Sequence, residues 1–206
     1  MNKSVISTEQ SYTFFDYFKL NADFEDIVGF WHYGFNVETL ALPKSIREIE
    51  NLSELNSRLN DAFSRVSLES EMARRETLIA PILLEIARIA EAKVKIEFPL
   101  DVSRQLKGSL NYLLHTKSDF LVVEAKNEDL YRGFKQLAVE LIALEKWLND
   151  NELNYLYGAV STGNAWQFGK LDVKNKKIVQ DLNIYTIPRQ LEELMKILIG
   201  ILERKH

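Results

Sequence analysis

Residues 109–126 read SLNYLLHTKSDFLVVEAK, two apolar runs joined by a short polar break, the second ending in glutamate, alanine and lysine. Apolar runs with turn-forming residues between them predict a hairpin. The segment that follows, residues 128–149, carries Leu130, Phe134, Leu137, Leu141 and Leu144 on one side of a long helix. A hairpin that feeds straight into an amphipathic helix has to bury both apolar faces, which restricts the chain to a sheet covered by helices.

The rest of the chain agrees with that class. Residues 70–92 place Leu78, Ile79, Ile82, Leu83, Ile86 and Ile89 on one helical face, with Pro81 expected to bend or interrupt the helix. VKIEFPLDV reads as a strand whose Pro99 suggests an edge or a bulge. NYLYGAVST and AWQFGKLDV read as two strands around the turn Gly163-Asn164, with Trp166 and Phe168 packing against a helix, and PRQLEELMKILIGILERK reads as a closing helix. The expected order is helix, three strands, helix, two strands, helix. Residues 1–65 form an aromatic-rich N-terminal extension that packs on the core. Within it Ile46, Ile49, Leu52, Leu55 and Leu59 recur at helical spacing, and residues 66–206 form the main domain.

The 206 residues suffice for a real core, and the 46% apolar fraction argues against disorder. With no cysteine there are no disulfides, thiolate metal sites or cysteine nucleophiles. No apolar run is long enough to span a membrane, and the start lacks a signal-peptide pattern, so a cytoplasmic protein is expected. The net charge of −4 disfavours a dedicated nucleic-acid binder without excluding a local basic cleft. His32, His115 and His206 lack metal-ligand spacing, and there is no glycine-rich phosphate loop.

On a strand, Glu124 and Lys126 share a face roughly 7 Å apart. If Lys117 and Ser118 form the turn, Thr116 faces Asp119, and counting back puts Asn111 opposite Glu124. Directly paired side chains lie roughly 5 Å apart, so Asn111, Glu124 and Lys126 converge on one small volume. Oxygen ligands beside a lysine suit metal-assisted phosphodiester hydrolysis. The plainer reading, an ion pair at a solvated strand end, stays open on these residues alone. Arg74 and Arg75 read either as contacts to a phosphate backbone or as exposed helix arginines.

The run LKGSLNYLL…FLVVEAK…GFKQL resembles the PD-(D/E)xK nuclease superfamily, the restriction-endonuclease-like fold, near the stand-alone domains related to the N-terminal nuclease of type I restriction enzymes. The resemblance rests on Glu71 ahead of LIAPIL, Gly108, Glu124-Ala125-Lys126, Gln136 and VSTGNAWQFGKL, in that order, over about residues 70–200. It implies a mixed central α/β sheet flanked by helices, with an α-β-β-β-α-β-β-α core. By position it implies Glu124 and the Ala125 carbonyl as ligands of Mg²⁺ or Mn²⁺, Lys126 as the catalytic lysine, Glu71 supporting the metal shell and Gln136 assisting. It also implies nucleic acid, DNA first, as the partner, and a homodimer.

Asn111 departs from the pattern, because an aspartate usually stands there. A neutral oxygen weakens a hard-cation site. Three explanations stay open: a weak site helped by Glu71, substitution by Asp101 or Asp119, or a nuclease fold retained for binding nucleic acid or a partner protein.

Overall fold

The apolar pattern resolves into three layers in a computed structural model that describes residues 5–204. Seven strands form the middle layer: β1 Gly34–Glu38, β2 Lys93–Ser103, β3 Leu106–His115, β4 Phe120–Ala125, β5 Tyr155–Ser161, β6 Ala165–Asp172 and β7 Lys177–Thr186. Their order across the single sheet is β1-β7-β6-β5-β4-β3-β2. The β4–β5 and β1–β7 pairs are parallel and the others antiparallel, so the sheet is mixed.

Helix α1 (Phe14–Lys19), α2 (Phe24–Gly29) and α6 (Leu130–Leu148) cover one face. Helix α3 (Leu52–Arg65), the α4–α5 rod (Glu71–Arg74 and Ala80–Ile89) and α7 (Leu191–Leu202) cover the other. Among the described residues no helix is long and apolar enough to cross a membrane.

Pro81 interrupts its helix as expected. It has no N–H for the carbonyl four residues back, and its ring crowds that carbonyl. The turn just before it, Arg75–Ile79, widens to a π-helix, which relieves the conflict without ending the rod. Pro99 lies in β2, an edge strand, where a missing N–H does no damage. Trp166 and Phe168 are fully buried in the cluster beneath α5 and α7.

Two expectations need correction. Helix α3 starts at Leu52, because Asn51 before it is left-handed (φ 61°), and Ile46 is wholly exposed rather than on the helix. Strands β1 and β7 were not expected. GFNVE is an exposed edge with almost no buried face, and the run Gln180-Asp181 breaks the apolar alternation of β7 at a register shift against β6. The extension forms part of the layers. Phe14, Tyr17, Phe24 and Ile27 share one core cluster with α6, and β1 extends the sheet beyond β7.

The β4–α6–β5 crossover positions the site. Parallel neighbours need a long connection, and here it is α6, which lies over the strands it joins. The C-terminal end of β4 therefore meets the first turns of α6, the kind of location where ligands bind in such sheets.

Candidate active site

Strands β3 and β4 pair from Tyr112↔Val123 to His115↔Phe120, and the Thr116 N–H donates to the Asp119 carbonyl at 3.0 Å. This is the register counted from the sequence, with Asn111 the next position towards Glu124. The two strands separate there. Glu124 and Ala125 remain paired with β5. The Asn111 side chain enters the gap, and its Oδ1 accepts the Ala125 N–H at 2.9 Å. A side-chain amide thus replaces a missing rung of the backbone ladder.

A conformational break across the strands accompanies this. Glu97, on β2 opposite this point, is left-handed (φ 49°). Val94, Tyr112 and Leu114 belong to the core under α5, whereas Phe98, Leu100 and Leu110 belong to the core under α6. The face alternation therefore changes phase at Glu97 and Asn111, which opens the sheet at the end of β4.

Glu124 is 1% exposed and Lys126 5%. The Lys126 Nζ donates to Glu124 Oε1 at 2.6 Å, so this is a buried ion pair rather than a solvated strand end. Gln136 approaches from α6, its Nε2 donating to Glu124 Oε1 at 2.6 Å and to Glu140 Oε1 at 2.8 Å. Glu140 was not singled out from the sequence. Its signal is an acid four residues after Gln136, one helical turn along, among the apolar residues of the buried helix face.

Burial pushes the Glu140 carboxyl well above its ordinary value of 4.5, and the neighbouring Glu124 charge pushes it the same way. Burial also raises Glu124, but Lys126 opposes the rise. Like charges this close do not both ionise, and Glu140 is the acid that keeps a proton. Glu124 Oε2, Gln136 Oε1 and Glu140 Oε2 are buried without a donor among the side chains. A protonated Glu140 donating to Glu124 supplies the donor this cluster otherwise lacks.

This sets a pH dependence. Because its pKa is raised by folding, Glu140 opposes the fold only above its unfolded pKa, and the cost grows as pH rises towards the folded value. Glu140→Gln keeps the shape and removes the titration. It should stabilise the protein at pH ~8 and have almost no effect near pH ~4. Urea melts at the two pH values measure the difference; an equal effect at both would refute the assignment of the proton.

Gly133, on α6, allows the close approach that fixes the lysine. A Cβ there would lie 2.7 Å from Val160 Cγ1 and 3.0 Å from Lys126 Cγ. Gly133→Ala should destabilise by about 1–3 kcal/mol through overpacking, despite alanine's better helix propensity. A thermal melt showing net stabilisation would contradict this packing.

These groups line a cleft of about 200 Å³ that brings together Glu71, Asn111, Glu124, Lys126 and Gln136. Glu71 lies close enough for its charge to raise Glu124 further. Ala125 takes part through its backbone N–H. The roof was not anticipated: Thr13, Phe14 and Phe15 of the extension also line the cleft.

The two arginines are held inside the fold. Arg74 donates to the carbonyls of Leu68 (2.6 Å) and Thr162 (2.9 Å), clamping the β5–β6 turn. Arg75 is 8% exposed, pairs with Glu97 at 2.7 Å and lies over the Tyr112 ring. Arg75 is buried, and the half-buried Arg74 spends Nε and Nη1 on the Leu68 and Thr162 carbonyls. Asp119 is at the opposite end of β4, paired with Arg204 at 2.7 Å, and Asp101 is an exposed β2 residue opposite Lys107. Neither replaces the carboxylate missing at Asn111. His115 ends β3 at that far pole, in a separate cleft of about 740 Å³. That cleft is larger and holds the buried, unpartnered His115 Nε2, but the buried Glu124–Lys126 pair and Gln136 line the small one.

Mg²⁺ takes one or two carboxylates and retains waters, and Glu124 and Glu71 are the carboxylates at hand, with Gln136 Oε1 a buried neutral oxygen that lacks a donor. Among the described residues no three acidic or histidine side chains converge as a ligand set. In comparison with known proteins, no family model matches the chain and no curated protein matches it.

Proposed function

We propose that this chain hydrolyses phosphodiester bonds in nucleic acid with a divalent cation, as a member of the restriction-endonuclease-like superfamily. One observation carries the reading: a buried Glu124–Lys126 pair at the end of β4, held by Gln136, lines a cleft together with Glu71 and Asn111. A buried ion pair is weak support for stability alone, because its desolvation cost rivals its attraction. Its retention here fits a chemical task.

Mg²⁺ or Mn²⁺, when bound by Glu124 and Glu71, would polarise the phosphate and acidify a bound water. Gln136 fixes the rotamer of Glu124 by donating to Oε1 and is itself held by Glu140. Lys126 presents a donor to the phosphate oxygen on which charge develops, a task worth about 10²–10³ in rate for comparable donors. Asn111 keeps the gap between β3 and β4 bridged through its Oδ1.

A second reading has its own support. Asn111 contributes no charge, and α1 covers part of the cleft, which suits a nuclease fold kept for binding nucleic acid or a partner protein. Asn111→Asp separates the two. A carboxylate can take the same ladder bond and adds one negative ligand, so Mn²⁺ affinity measured by calorimetry should rise in the variant. Detectable Mn²⁺ binding by the wild type, lost in Glu124→Gln, supports the catalytic reading. No binding by either the wild type or Asn111→Asp supports the binding role.

A further inference from the structure

The extension lays two aromatic rings beside the reactive lysine. Phe15 and Phe18 on α1 are nearly parallel and stacked, with 6° between their planes and centroids 5.9 Å apart. The Lys126 Nζ lies 5.6 Å from the Phe15 centroid and 5.1 Å from the Phe18 centroid, and the Lys19 Nζ is 4.3 Å from that of Phe15. Phe15 is 48% exposed, although its neighbours Phe14 and Tyr17 on the same helix are completely buried. A helix that only needed to pack would not present a phenyl ring to water at the mouth of a polar cleft.

Helix α1 is too well fixed to swing aside as a lid. The Tyr12 N–H donates to the Arg104 carbonyl at 2.8 Å, and the Tyr17 hydroxyl donates to the Gln105 carbonyl at 2.6 Å. Phe14 sits on Gly108, whose φ is 149° and where a Cβ would come within 2.8 Å of the ring. The β2–β3 turn therefore holds the roof of the cleft in place. A ligand in the cleft with Lys126 therefore also meets Thr13, Phe14 and Phe15.

We infer that Phe15 and Phe18 form a base-stacking step and that the strand taken by this cleft is single-stranded. A nucleotide combines an anion with a flat π surface. Lys19 and Lys126 answer the first, and the rings answer the second. Aromatic side chains along a cationic groove are the general means of holding unpaired strands, and each base stacks without regard to sequence. A paired base is buried in its duplex and cannot reach the rings without being unstacked.

The inference rests on the nucleic-acid reading of the same site, and two measurements separate them. Anisotropy of a fluorescein-labelled oligodeoxythymidylate of about a dozen nucleotides reports strand binding, in EDTA and again in Ca²⁺. A duplex of equal length is the comparison. The single strand should bind more tightly than the duplex. Phe15→Ala should weaken it by roughly 5- to 100-fold, and Phe15→Trp should restore it. Phe15 is half exposed, so unchanged melting of both variants verifies that the fold is intact. Equal binding of duplex and single strand, no strand binding, or indifference to Phe15→Ala would overturn the stacking step. Plasmid nicking that survives any of these results would leave hydrolysis standing without the step. Phe15-dependent strand binding without nicking would keep the step and remove the hydrolysis.

Discussion

Lys126→Met destabilises the protein by about 3–5 kcal/mol at pH ~8, because it leaves the Glu124 carboxylate buried beside Gln136 with no cation. The cost shrinks on acidification. Burial already raises the Glu124 pKa, and without Lys126 nothing of comparable strength opposes the rise. A group whose folded pKa is raised opposes folding only above its unfolded value, so the lost stability returns as the carboxyl takes up a proton. The double variant Glu124→Gln/Lys126→Met removes the charge along with its partner and should lie near the wild type. Urea unfolding of both variants at pH ~8 and ~5 gives the comparison. A cost independent of pH would mean that packing of the lysine stem, not charge, sets the loss.

Tyr17→Ala has an effect of similar size for a different reason. Tyr17 is wholly buried between α1 and the rest of the structure, and its hydroxyl donates to the Gln105 carbonyl at 2.6 Å. Truncation opens a cavity the size of an aromatic ring and orphans that carbonyl, at about 3–5 kcal/mol. Tyr17→Phe loses only the hydrogen bond and should cost about 1 kcal/mol. These values measure whether the N-terminal extension belongs to the cooperative unit. If Tyr17→Ala lowered only a separate early transition and left the main one in place, the extension would be an independent appendage.

The centre of the chain was legible because its signals were local. The turn at Lys117-Ser118 fixes the β3–β4 register, and the register brings Asn111 to Glu124 by counting alone. Pro81 and Pro99 behaved as their missing N–H groups require. Strand β1 was not legible because GFNVE is almost wholly exposed and becomes a strand only by pairing with β7, far along the chain. Strand β7 was obscured by Gln180 and Asp181, whose burial depends on tertiary partners: the Asp181 Oδ1 accepts from Leu40 and Asn183, and Gln180 donates to Gln167. Arg74 and Arg75 read as phosphate contacts or as exposed helix arginines because sequence shows their charge and not their partners.

Glu140 and the roof were missed for a related reason. A glutamate on a helix is usually solvated, and only the parallel β4–β5 crossover turns that side of α6 towards Glu124. Helix α1 has no sequence-local link to the site. It arrives because Phe14 fits against Gly108 and Tyr17 reaches the β2–β3 turn, contacts about ninety residues apart in the chain. Its aromatic residues do pack, as expected from their number, but Phe15 and Phe18 do so at the mouth of the cleft.

Nicking of supercoiled plasmid, in which negative supercoiling opens unpaired segments that a single-strand cleft can take, tests the central claim most directly in Mg²⁺ and in Mn²⁺, with EDTA and Glu124→Gln as controls. Glu124→Gln is isosteric and still accepts from Gln136, so loss of activity in it reports loss of the carboxylate. The account predicts cation-dependent nicking by the wild type, abolished by EDTA and lowered by at least about 10²-fold in Glu124→Gln. Folded wild type and folded Asn111→Asp that both leave the plasmid intact in either cation would contradict it.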